Sequence, residues 1–129
     1  MLNELSKEIH ENAVNHGWWD EPSNLLEIAA LCHSELSEAV EEYRAGRPMV
    51  YHKCKSPEYE CFEMEDATCY CYEDECPSLG KPEGIAVEMA DCLIRILDWF
   101  GHEELDADAI IREKMDYNKS RPYKHGKRC

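Results

Sequence analysis

A chain of 129 residues, 43% hydrophobic and 33% charged, is long enough for one domain with a buried core and too apolar for wholesale disorder. Its formal net charge of −14 excludes bulk binding to a nucleic-acid polymer or to an anionic membrane surface. No window reaches the roughly 18 apolar residues of a membrane span, and the opening MLNELSKEIHENAV lacks the long apolar run of a secretory signal. The expectation is a cytoplasmic protein whose eight cysteines are reduced or metal-bound rather than paired in disulfides.

Residues 2–16 predict a first helix, with Leu2, Leu5, Ile9 and Ala13 on one face and His16-Gly17 ending it. Trp18 and Trp19 follow in a short connection. Such a pair either packs in a core or interface, or offers a flat π-face on which a nucleobase stacks. The run Asp20-Glu21-Pro22-Ser23-Asn24 signals a second helix start, and that helix should run from about 24 to 44. Leu25, Ile28, Ala29, Cys32, Leu36, Ala39, Val40 and Tyr43 form its apolar face, flanked by a column of Glu35, Glu38 and Glu42.

Residues 47–81 change character. Cys54, Cys61, Cys69, Cys71 and Cys76 sit among eight acidic residues, several tyrosines and three prolines, with neither helical nor strand periodicity. The segment reads as a long excursion between two helices. Loops of this length are functional, mobile or held by a ligand, and thiolates with His52 would suit a structural Zn²⁺. Cys69-x-Cys71 and Cys71-x(4)-Cys76 come nearest to the paired knuckles of known zinc sites, so a reduced loop without metal stands ahead of that reading.

Pro82-Glu83-Gly84 opens a third helix ending at Gly101, apolar around most of its circumference. Glu88, Asp91, Arg95 and Asp98 share one narrow sector of it, which either faces water or lines a cavity. Asp106 is the expected N-cap of a fourth helix carrying Ala109, Ile110, Ile111, Met115 and Tyr117. Residues 120–129 form a basic tail, read as a solvated terminus or as an anion-binding arm in which Arg121 offers a planar fork.

The chemistry lies in Glu35-x-x-Glu38 and Glu88-x-x-Asp91. Each pair shares a helix face, and antiparallel packing of the two helices would bring four carboxylates together. Such a cluster repels itself unless cations neutralise it. An all-oxygen set without histidine suits a hard ion, Mg²⁺ or Mn²⁺, which bridges carboxylates to substrate phosphates. A di-iron bundle would need Glu-x-x-His motifs, and neither pair has one.

These motifs, within SELSEAVEEYR (34–44), KPEGIAVEMADCLIRILDWFG (81–101) and EKMDYNKSRPYKHGK (113–127), resemble the MazG-like nucleoside triphosphate pyrophosphohydrolases. The resemblance covers roughly residues 1–46 and 80–127; the chain departs from the family pattern in the longer gap that holds the cysteine-rich segment. It implies a single all-α domain, a four-helix bundle-like protomer with a cysteine-rich insertion at 47–81, that hydrolyses nucleoside triphosphates to monophosphate and pyrophosphate. It also implies Mg²⁺ held by Glu35, Glu38, Glu88 and Asp91, phosphate contacts from Lys114 and Asn118 with Arg121 a further candidate, and Trp18 or Trp19 near the base. Glu38 is the expected acceptor of the water's proton. Family members form dimers or tetramers with sites at subunit interfaces, so a homodimer or homotetramer is expected. The alternative is a non-catalytic helical binding module whose cysteine-rich loop forms a zinc-stabilised interaction surface.

Overall fold

The four helical periodicities fold as helices in the computed structural model, which describes residues 1–54, 68–69 and 79–123. They are α1 (Leu2–Asn15), α2 (Leu25–Arg44), α3 (Ile85–His102) and α4 (Ala107–Ser120). Between α2 and α3 lie β1 (Tyr51–Cys54), β2 (Thr68–Cys69) and β3 (Leu79–Glu83), an antiparallel sheet in the order β2-β1-β3. The protein is mostly helical, and no helix among the described residues is long and apolar enough to cross a membrane.

Two expectations are corrected here. The segment 47–81 contributes three strands where the sequence shows no strand periodicity, and Pro82 belongs to β3 rather than to the first turn of α3. Among the described residues β3 pairs only with β1, and such an edge position tolerates a proline that cannot donate to the ladder. Gly84, at φ +117°, then turns the chain into α3. A Cβ there would meet the carbonyl oxygens of Met49 at 2.6 Å and Pro48 at 2.8 Å, so only glycine fits.

The chain divides into two compact units. One comprises Met1–Asn24 and the described residues from Ile94 on; the other lies within Leu25–Leu93. In the first, the N-termini of α1 and α4 cap each other. Asp108 accepts from the backbone N–H groups of Leu2 (3.2 Å) and Asn3 (3.1 Å), while Asn3 accepts from the Asp108 N–H at 3.2 Å. Asp106 accepts from Asn3 Nδ2 at 2.8 Å and, as the expected N-cap, from the Ala109 N–H at 2.9 Å. These donors hold both carboxyls below their ordinary pKa: the Asn3 side chain acts first on Asp106, and the Asn3 backbone N–H on Asp108.

The same unit has a second polar anchor. Asp98 accepts from His10 Nδ1 at 2.7 Å and from Trp19 Nε1 at 3.0 and 3.1 Å through its two oxygens. The Trp19 ring stacks on His102 at 3.9 Å between centroids. Gly101 continues α3 instead of ending it; a Cβ there would meet Ser6 O and His10 Cβ at 2.7 Å. Its role is to let α1 approach α3, and the buried Ser6 hydroxyl donates to Leu97 O at 2.7 Å in the same contact.

In the second unit, α2 buries only Glu35 and Ala39. Tyr51, buried on β1, donates to Glu42 at 2.9 Å. Burial, then that hydrogen bond, pushes the Tyr51 hydroxyl up to about 12. Much of the expected apolar surface stays exposed in the single chain: Leu25, Leu36, Val40 and Tyr43 on α2, and Met89 and Leu93 on α3. Although α3 is apolar around most of its circumference, it is therefore not buried on all sides within one chain.

Candidate metal centre

A helix places residues three apart on one face; α3 offers the pair Glu88 and Asp91 to α2, which offers Glu35 alone rather than the expected pair. Carboxylate oxygens of Glu35, Glu88 and Asp91 all lie within 4.8 Å of one another. Two of the three are buried, Glu35 at 6% and Glu88 at 4% exposure, and Asp91 is half-buried. The helices also meet one position along, where Cys32 Sγ lies 4.0 Å from the Cys92 carbonyl oxygen. Cys92 is buried and neither thiol is in a disulfide.

Glu88 is the most telling member. No hydrogen bond or ion pair reaches its carboxylate among the described residues, although a buried polar group ordinarily has such a partner. Burial raises its pKa first. The charge of Glu38 adds to this, Lys81 partly offsets it, and Asp91 and Glu35 raise it further. Glu38 is exposed and stands outside the 4.8 Å cluster, yet its charge is felt at Glu88. Glu42, the third acid of the α2 column, is committed to Tyr51 instead.

The cluster's position follows from local structure. β3 leads directly into Gly84, whose carbonyl accepts from the N–H groups of Val87 (2.9 Å) and Glu88 (3.0 Å), while the Ala86 N–H donates to Met49 O at 2.9 Å. Glu88 thus sits in the first turn of α3, just past a backbone fastened to the segment after α2.

Lys81 is a residue that sequence reasoning passed over. Its ammonium lies 3.3 Å from Glu83 Oε1 and is 67% exposed. Partial burial lowers its pKa, but the Glu83 hydrogen bond and then the charges of Glu83, Glu88 and Asp91 outweigh that and raise it. Its position shortly before Glu88 was visible in the sequence, but the strand that carries it was not.

The other site candidates are placed as follows. Trp18 is 70% exposed, whereas Trp19 is half-buried against Asp98 and His102. Lys114 and Asn118 are exposed on α4, Arg121 is exposed just after it, and Lys114 Nζ lies 5.1 Å from the Tyr117 ring centroid. Of the suggested zinc ligands, Cys54 lies in β1 and Cys69 in β2, where Cys69 is the register partner of His52. Cys61, Cys71 and Cys76 lie outside the described residues. Comparison with protein-family models, with curated proteins and with solved structures returns no match for this chain.

The donor set fits a hard divalent cation. Three clustered carboxylates, two of them buried and one without a protein partner among the described residues, offer oxygen ligands and an excess of negative charge.

Proposed function

We propose that the chain is a MazG-like, metal-dependent nucleoside triphosphate pyrophosphohydrolase that releases monophosphate and pyrophosphate. The observation that carries this reading is the buried Glu88 carboxylate, without a hydrogen bond or ion pair among the described residues and within 4.8 Å of Glu35 and Asp91. Glu35, Glu88 and Asp91, with Glu38 beside them, would hold Mg²⁺ or Mn²⁺. A divalent ion bound there supplies Lewis acidity toward phosphate oxygens and makes water acidic enough to attack at neutral pH.

The chain's own residues then have separate tasks. Glu35 and Glu88, buried and fixed by their helices, provide a rigid anionic wall. Glu38, the exposed acid, accepts the proton of the attacking water as the anhydride P–O bond breaks and pyrophosphate departs. The resemblance assigns Lys114, Asn118 and Arg121 to the substrate phosphates, where cations offset developing charge, and Trp18 or Trp19 to the base. The exposed apolar residues of α2 and α3 favour burial against a second copy, in a homodimer or homotetramer.

Pyrophosphate release from a panel of NTPs and dNTPs, with Mg²⁺, with Mn²⁺ and with EDTA, tests this function. Metal-dependent release of pyrophosphate, rather than of single phosphates, is expected. Folded protein that releases none from any member overturns it.

A further inference from the structure

The charge of Lys81 acts on the carboxylate cluster from the strand that precedes α3. Lys81 projects from β3, a strand fixed by pairing with β1 and ending in the Gly84 turn that starts α3. Glu83 tethers its ammonium at 3.3 Å, and Glu83 is largely buried, so the tether's base does not wander. Glu88 and Asp91 both act on this ammonium, and Lys81 is a cation whose charge acts on Glu88. Yet the side chain is 67% exposed, so its donors are not consumed by the protein interior. A lysine that only neutralised the cluster would gain most by pairing directly with Glu88. This one is held aside, at the solvent edge, by an acid outside the cluster.

We propose that Lys81 is a substrate-contacting residue of this site, a phosphate-binding ammonium that counterbalances the carboxylates before metal arrives and turns to the triphosphate once it is bound. The assignment rests on the nucleotide reading above. It follows from charge balance: with a cation held by the carboxylates, the negative field acting on the ammonium would fall, and incoming phosphate oxygens would offer it a stronger acceptor than Glu83. Lysine suits the task because it acts as a compact charge with rotatable donors on a flexible stem.

The assignment predicts opposite effects on two ligands. With Mn²⁺ alone, followed by electron paramagnetic resonance, Lys81→Met should tighten binding severalfold, because a competing positive charge has gone. For the nucleoside triphosphate the same variant should raise KM by about tenfold, the scale of one charge-assisted hydrogen bond. Lys81→Arg should restore both values most of the way. The exposed position spares the fold, and circular dichroism verifies it. If Lys81→Met leaves KM unchanged while wild-type protein turns over nucleotide, the Lys81 assignment is wrong and the enzyme reading stands. The assignment fails equally if Mn²⁺ binding is unchanged or weakened. If wild-type protein neither binds nor hydrolyses any nucleotide, the enzyme reading itself fails and the assignment with it.

Discussion

Glu35 on α2 and Glu88 on α3 present carboxylate oxygens within 4.8 Å of each other while both are almost completely buried. Two acids so placed raise the free energy of the metal-free protein, because each is removed from water and repelled by the other. Removing one charge should therefore stabilise the metal-free protein while destroying the proposed activity. Glu88→Gln is expected to raise apo stability by about 1 kcal/mol, on the scale of the cost of a buried unpaired group. It should also abolish metal-dependent turnover. Urea denaturation with and without Mg²⁺ measures both sides: Mg²⁺ should stabilise the wild type and leave the variant unchanged.

The same pair sets a pH dependence. Glu88 titrates above its ordinary 4.5 in the folded state, so folded protein binds more protons than unfolded protein in that window. Its contribution to stability is fully present below 4.5 and is lost as pH rises through the folded-state value. Apo protein should thus gain thermal stability as pH falls from neutrality toward 4.5, and Glu88→Gln should flatten that slope. Asp106 and Asp108 act in the opposite sense but only below 3.8, because their folded-state values are depressed. With saturating Mg²⁺ the trend reverses, since carboxylate ligands must be deprotonated to bind. Thermal melts of both proteins across this range, with and without metal, check it.

Asp98 should matter to folding rather than to the carboxylate chemistry. Asp98→Ala leaves the Trp19 indole N–H and the His10 ring without their acceptor, for a loss of about 1–3 kcal/mol. Denaturant titration measures the loss, and metal affinity, which the proposed function assigns to Glu35, Glu88 and Asp91, should change little.

Gly84→Ala should be costly for a stated geometric reason. Its φ of +117° disfavours any side chain, and the new methyl would meet Met49 O at 2.6 Å. A loss of about 1–3 kcal/mol is expected from the backbone strain. Because the Gly84 carbonyl accepts from the Glu88 N–H, metal affinity should fall too. Calorimetric titration of Mg²⁺ into the variant reads the second effect.

The helices were legible because their periodicities are long and their caps chemically explicit, as with Asp106 before α4. Glu35, Glu88 and Asp91 were legible as neighbours for the same reason, since spacing along a helix fixes which side chains share a face, whereas Glu38 stands outside their cluster. The strands were not. β1 and β3 are short, broken by Pro82 and by a register irregularity between His52 and Cys54, and their partners are distant in sequence. Gly101 looked like a helix terminator, whereas its missing side chain serves a tertiary approach by α1. Asp98 looked like part of the acidic stripe because a helical wheel cannot see His10 and Trp19, which donate to it from elsewhere in the chain. Glu42 left its own column for Tyr51 in the same way. Local pattern identified the candidate ligands; long-range partners decided which carboxylates were committed elsewhere.

Titration of wild-type protein and of Glu88→Gln with Mn²⁺, followed by electron paramagnetic resonance, tests most directly whether the buried carboxylates form a metal site. Saturable binding by the wild type, competed by Mg²⁺ and lost in the variant, is the predicted result. No saturable binding by the wild type, or equal binding by the two proteins, would contradict the account.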